Sequence, residues 1–265
     1  TDDTNPIQNA LNLSAGKTFV LSGNSLITNT LTFTGSNITI DGNGHTISHL
    51  TNQSTTLDIH GSVNTYVTNG LITNNSTSIS LASTSGLVKG DLLYIVANPS
   101  DSLWSKERSY YVKGEFVEID SVIAGVSIIT KSHIIDSYIS GAVVTRLNNH
   151  GVKIENLSIE RNNNAACLTL YNVTDIDVRN CYINGANERG LFIYNSYNVN
   201  IENSKVKGSF FTGTGTSYGL VIASCQNVTV KGGEFIGGRH GITVGGTFPS
   251  RFVDFSGIVV EIGRA

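Results

Sequence analysis

Apolar and polar residues alternate along four segments that superimpose on one another: VKIENLSI from Val152, IDVRNCYI from Ile176, VNIENSKV from Val199 and VTVKGGEF from Val228. Their offsets are 24, 23 and 29 residues, and each is followed by a second apolar segment: ACLTLYN from Ala166, GLFIYNS from Gly190, GLVIASC from Gly219 and GITVGG from Gly241. A period in the low twenties predicts a solenoid in which each repeat buries its apolar face against the next. Parallel strands lie about 4.8 Å apart, so equivalent residues form vertical columns. Ile154/Val178/Ile201/Val230 and Leu170/Ile193/Ile222/Val244 are the expected inward columns. Asn69/Asn156/Asn180/Asn203, ending at Gly232, reads as an asparagine ladder in which each amide donates to one neighbour and accepts from the other. Glu155/Arg179/Glu202/Lys231 alternates in sign and reads as an outward column of surface ion pairs.

The pattern divides the chain into three parts. Residues 1–73 carry a cap and the first coils, residues 149–265 carry later coils, and residues 74–148 break the period. Near the start, Asn5 reads as a helix N-cap and Pro6 as the first helical residue, with Ile7, Ala10 and Leu11 on one face. A helix there would cover the open end of the stack. Short strands are expected at Phe19–Leu21, Leu31–Phe33, Ile38–Ile40 and Leu57–Ile59. Thr65–Ile72 aligns with the coil segment ending at Ile159. In 74–148, strict alternation and glycine turns predict a small inserted antiparallel β module. The strand pattern persists to the last residues, which reads as a coil stack that continues in a longer protein.

Composition narrows the function. Charged residues make up only 14% of the 265, and the net charge of −3 argues against nucleic-acid binding. No apolar run reaches the ~18 residues of a membrane span, so membrane insertion is not expected. Cys167, Cys181 and Cys225 are odd in number, lack metal-ligand spacing and read as packing residues.

The opening TDDTNPIQNALN resembles the TDDT-x-x-I-Q-x-A-L sequence at the first coil of pectate-lyase-like right-handed β-helices, a version common in bacteriophage tailspikes and host-surface depolymerases. The inserted block GLVKGDLLYI…YYVKGEFVEIDSV…IIDSY and GGRHGITVGG from Gly237 are similar to segments of the same proteins. The resemblance implies an all-β, right-handed parallel β-helix. It also implies a homotrimer, association with other virion tail proteins, an extracellular location on the virion tail, and recognition or cleavage of bacterial surface glycan. Two alternatives stand beside it. One is a secreted pectinolytic lyase or hydrolase, although no paired Asp with a Gly-His-Gly signature is present. The other is a non-catalytic structural rod.

The candidate chemistry sits where each second apolar segment begins. Arg189, Tyr218 and His240 fall in one column, with Glu188 and Arg239 in the next. Tyr171, Phe192 and Tyr194 point outward nearby, and aromatic faces of this kind stack on sugar rings. Trp104 and Tyr110, in the inserted module, offer a second pair of sugar-facing rings. A hydrolase would use Glu188 with a second carboxylate, for which Glu160 and Glu234 are weak candidates. A lyase would use Tyr218 or His240 as base and Arg189 or Arg239 as the clamp on the developing charge. Asp175 and Asp177 have no acids above or below them, so neither a metal nor another cofactor is expected.

Overall fold

The computed structural model describes residues 1–51, 55–161, 165–208 and 216–262. The chain winds through three parallel sheets in turn. Sheet A stacks Thr18–Val20, Ile38–Asp41, Asn149–Glu155, Val173–Arg179, Tyr197–Glu202, Gln226–Lys231 and Arg251–Ser256. Sheet B stacks Ser25–Ile27, Thr46–His49, Ser158–Arg161, Tyr182–Ala186, Lys205–Gly208, Glu234–Gly237 and Val259–Ile262. Sheet C stacks Leu31–Phe33, Leu57–His60, Leu168–Tyr171, Arg189–Tyr194, Tyr218–Ala223 and His240–Gly245. One strand from each sheet makes a coil. Seven coils, the last with A and B strands only, are present among the described residues.

Register follows the repeat. Ile40, Ile154, Val178, Ile201, Val230 and Phe255 pile up in sheet A. Ile59, Leu170, Ile193, Ile222 and Val244 do so in sheet C. All except Phe255 and Val244 are sealed in one continuous core. Val244 is 44% exposed because it lies on the last C strand described. Each buried aliphatic side chain contributes roughly 1.5–3 kcal/mol, and these columns supply most of the stability. The three cysteines are buried and form no disulfide among the described residues, and burial pushes the thiols of Cys181 and Cys225 up to about 11 and about 12.

What looked like one apolar segment per repeat is two strands bent at an asparagine. Asn156, Asn180 and Asn203 have φ near +50°, and Gly232 and Gly257 take the same place at +62°. This left-handed backbone is costly for most L-residues and cheap for Asn and Gly. Two further columns repeat the device. Asn172, Asn195, Ser224 and Gly246 turn the chain out of sheet C. Asn37, Gly151, Asp175, Asn198, Asn227 and Phe252 set the entry to sheet A. The abundance of asparagine is therefore a requirement of the corners. The side-chain ladder is short: Asn180 Nδ2 donates to Asn156 Oδ1 at 3.5 Å, and Asn156 Nδ2 to Asp41 Oδ1 at 3.2 Å. Asn69 is not part of it. Ile154 pairs with Ile40, so Asp41 and Gly42 lie beneath this column.

Thr65–Ile72 belongs instead to the antiparallel unit, whose strands begin at Val63. Val63–Val67, Val143–Leu147, Leu92–Val96, Gly114–Ile123, Ser127–Thr130 and Ser78–Ser80 are neighbours in that order. A bridge from Thr68 to Leu81 ties the first strand to the last, closing the sheet around its own apolar core. Tyr94, Phe116, Leu147 and Phe248, joined by Tyr197, seal the unit against the coils. Phe116 N–H donates to Gln226 Oε1 at 3.2 Å, and Arg251 Nη2 to Asp136 Oδ2 at 2.5 Å. Inside the unit, buried Glu115 accepts from Ile135 N, Asp136 N and the Tyr138 hydroxyl at 2.8–2.9 Å. Burial raises the Glu115 pKa against the pull of those donors.

The opening helix spans Thr4–Asn12, with Asp3 rather than Asn5 at the N-cap and Pro6 inside the first turn, where backbone N–H groups have no helical acceptor. Ile7 and Leu11 close the core from below. The polar residues of the TDDT…Q motif treat coil 1 as a missing strand would. Gln8 Oε1 accepts from Thr32 N at 2.7 Å and Gln8 Nε2 donates to Thr32 O at 2.8 Å. Asp3 pairs likewise with both backbone groups of Leu26, and Thr4 Oγ1 accepts from Thr28 N. Gln8→Ala removes one such pair and should cost about 1–2 kcal/mol, a few degrees in apparent Tm, without changing the far-ultraviolet circular dichroism.

At the corner between sheets B and C, Arg161 is buried against His49. Arg161 Nη1 donates to His49 Nδ1 at 3.2 Å and Arg161 Nη2 to Thr51 O at 3.2 Å, and His49 Nε2 lies 3.0 Å from Thr51 Oγ1. Burial, then the guanidinium, holds the His49 pKa below 6.5. The unfolded chain therefore binds the proton more readily. The stability that neutral His49 contributes is full above about pH 6.5 and is lost as pH falls below it. Apparent Tm measured from pH 8 to pH 5 should fall on the acid side, and His49→Gln should flatten that slope.

Candidate functional site

Strand alternation sends every second residue of sheet C outward. The parallel register stacks these into two columns, Asp58/Thr169/Phe192/Val221/Thr243 and His60/Tyr171/Tyr194/Ala223/Gly245. At the edge where the chain enters the sheet, Arg189, Tyr218 and His240 are vertical neighbours, as the repeat predicts. The Tyr218 and His240 rings stack at 5.5 Å, and the Arg239 guanidinium lies 5.8 Å from the Tyr218 ring. Arg239 and His240 are exposed, and Arg239 forms no ion pair among the described residues. Arg189 pairs with Glu188 at 2.8 Å and lies 4.4 Å over Phe192. Phe192 in turn stacks on Tyr194 at 5.9 Å.

The structure thus joins eight of the residues expected at the site along one face: Glu188, Arg189, Phe192, Tyr194, Tyr171, Tyr218, Arg239 and His240. Trp104 and Tyr110 stand at the far edge. Trp104 Nε1 donates to Thr247 O at 3.2 Å, just past the last C strand, and Tyr111 packs between the two rings at 4.8 and 4.9 Å. Tyr94 of the inserted unit stacks on Phe248, just past the last C strand, so this unit walls the exit edge of the face.

Glu188 gains no carboxylate partner among the described residues. Glu160 and Glu234 lie on sheet B, and Glu234 is bound to Lys205. Asp58, on the same face as Glu188, is two coils down and four residues along the strand, on the order of 16 Å away. Paired glycosidase carboxylates stand about 5–9.5 Å apart. Asp175 and Asp177 are engaged as hydrogen-bond acceptors, Asp175 by Asn198 and Asp177 by Arg179 and Asn200.

Two features escaped the repeat alignment. One is the Asp58–His60 pair on coil 2. His60 Nδ1 faces Asp58 Oδ2 at 3.3 Å, Thr169 Oγ1 donates to Asp58 Oδ1 at 2.7 Å, and the His60 ring stacks on Tyr171 at 5.2 Å. The signal for it is the match of LDIH at Leu57 to LTLY at Leu168, which places Asp58 and His60 outward beneath Thr169 and Tyr171. The other is a cavity of about 560 Å³ between the inserted unit and sheet A, lined by Glu118, Arg146, His150, Asp175 and Tyr197 among others.

Residues 95–235, more than half of the chain, match the family described as the right handed beta helix region. No curated protein sequence matches the chain. Among solved structures, the Gp54 tailspike of Acinetobacter baumannii bacteriophage AP22, determined in complex with A. baumannii capsular saccharide, is similar with a TM-score of 0.74 and 22% identity, over 97% of this chain and 44% of that one. The tailspike protein gp49 of Pseudomonas phage LKA1 gives 0.72 and 23% over 97% and 44%. Tailspike gp61 of Pseudomonas phage phi297 gives 0.71 and 19% over 92% and 41%. This chain spans less than half the length of each, and at these identities the likeness is one of fold. The coil stack, its register and the family match agree, and the chain belongs to the right-handed β-helix family.

Proposed function

We propose that sheet C is a recognition surface for bacterial surface polysaccharide, and that the chain serves as the host-binding part of a phage tail spike, extracellular on the virion tail, as a homotrimer alongside other tail proteins. The observation that carries this reading is the ladder of half-buried outward rings, Tyr171, Phe192 and Tyr194, continuous with the stacked Tyr218–His240 pair. Outward rings anchored on a rigid sheet can contact sugar C–H groups and lose little entropy on binding. From His240 on coil 6 to Tyr171 on coil 3 the path crosses three coil spacings and five residues, on the order of 22 Å, enough for an oligosaccharide. The exposed Arg239 guanidinium at this edge suits an acidic sugar. A similar fold in the AP22 tailspike was determined with capsular saccharide, which supports the choice of ligand class.

A second reading is eliminative cleavage. The Tyr218–His240 stack with Arg239 beside it favours this: the imidazole or phenol would take the proton α to a uronate carboxylate while the guanidinium holds the charge. Arg189 is already committed to Glu188, which leaves Arg239 as the clamp.

Phe192→Ala and Tyr194→Ala should each weaken retention on a panel of purified capsular polysaccharides about tenfold or more in Kd, with unchanged melting. Retention unaffected by both would remove sheet C from the binding surface. Glu188→Gln should shift stability by no more than about 1 kcal/mol, since it loses only a partly exposed ion pair, and should leave glycan retention intact. Release of unsaturated products absorbing at 235 nm, abolished by Arg239→Gln, would establish the eliminative reading.

A further inference from the structure

We propose that Asp58 and His60 form a general-base centre that hydrolyses ester substituents, of the O-acetyl class, on the glycan held along sheet C; this rests on the recognition reading above. The pair is built as a proton-transfer device. Both residues stand outward on one strand, two positions apart. The Nδ1 edge of His60 is buried 3.3 Å from Asp58 Oδ2, at ion-pair distance and without a hydrogen bond of good geometry, and Nε2 is the ring's second nitrogen. Asp58 is fixed in turn by the Thr169 hydroxyl from the next coil. A carboxylate beside the base, itself held by a hydroxyl, can orient an imidazole to accept a water or hydroxyl proton, and catalytic hydrogen bonds of this kind are often long until substrate binds. His60 also lies three residues before the first strand of the inserted unit, which begins at Val63.

The surroundings select the reaction. Hydrolysis of a glycosidic bond requires a second carboxylate within about 9.5 Å, and Glu188 is too distant. Elimination requires a cation at the uronate carboxylate, and the nearest guanidinium on this face, Arg189, is paired with Glu188 over Phe192 at the opposite edge. A single imidazole–carboxylate pair suffices for attack of water on an acyl group. His60 Nε2 takes a proton from water as the water oxygen bonds to the acyl carbon. The imidazolium then returns that proton to the sugar oxygen as the acyl C–O bond breaks, releasing a carboxylic acid and a free sugar hydroxyl. Tyr171, stacked on His60, keeps its phenol protonated because burial, and then the Asp58 charge, raise its pKa, so it remains a hydrogen-bond donor toward the developing oxyanion.

The test uses the described chain as it stands. Acetate release is followed by NMR from purified O-acetylated capsular polysaccharides and, as a small probe, by hydrolysis of 4-nitrophenyl acetate. His60→Asn should lower both rates at least 100-fold while polysaccharide retention stays at the wild-type level. Asp58→Asn, which removes a positioning residue, should lower kcat at least tenfold with little change in KM. His133→Asn, at an exposed histidine of the inserted unit, controls for nonspecific imidazole reactivity and should leave the rates unchanged. The proposal is overturned if wild type releases no acyl group from either substrate, if His60→Asn matches wild type, or if His60→Asn loses retention together with activity, which would make His60 a binding residue. Failure of the parent reading looks different: no polysaccharide, acetylated or chemically de-O-acetylated, would be retained by wild type at all.

Discussion

Everything in this molecule depends on strands of successive coils meeting in parallel register, so that each backbone bonds to the coil above and below and each side chain lands on its counterpart. A slip of one residue would turn every inward aliphatic outward and dismantle the core and the ring ladder together. Register is held by the corners as much as by the core. The columns of asparagine, glycine and serine at positive φ fix where each strand ends, and therefore which residues face the interior. Stability and function are coupled through this geometry: the same alternation that seals Leu170, Ile193 and Ile222 inside presents Tyr171, Phe192 and Tyr194 outside.

The two parts of the chain solve the burial problem differently. The coils share a continuous core, whereas the inserted unit closes a sheet around a core of its own and then docks through a small aromatic cluster. Its contribution to the proposed recognition face is shape. Tyr94 and the Trp104 loop raise one border of sheet C, converting a flat wall into a surface with a side.

Much of this was legible in the sequence, and the exceptions have physical causes. The inward columns and the Arg189/Tyr218/His240 column were readable because β-branched residues recurring at intervals of about two dozen positions suit a coil stack and little else. Asn69 was misplaced because an antiparallel strand and a coil strand share the same period of two; what separates them is the distant pairing of Val63–Val67 with Val143–Leu147, which no local pattern records. Asn5 and Pro6 suggested a later helix start, but the Asp2 carboxylate, accepting from Thr4 N and its hydroxyl, begins the helix earlier. Asp58 and His60 were hidden for a related reason. The insertion separates coil 2 from coil 3, so the vertical neighbours His60 and Tyr171 are 111 residues apart in the chain. Glu188 marks the opposite limit, since a carboxylate in a patch gains chemical meaning only from the distance to its partner, which linear spacing does not give.

The cap has a consequence for assembly. Because Gln8 and Asp3 occupy hydrogen-bonding groups of Thr32 and Leu26 with their own polar atoms, those positions offer no template to an incoming strand. At the helix-covered rim these positions are closed to edge-to-edge pairing with another strand.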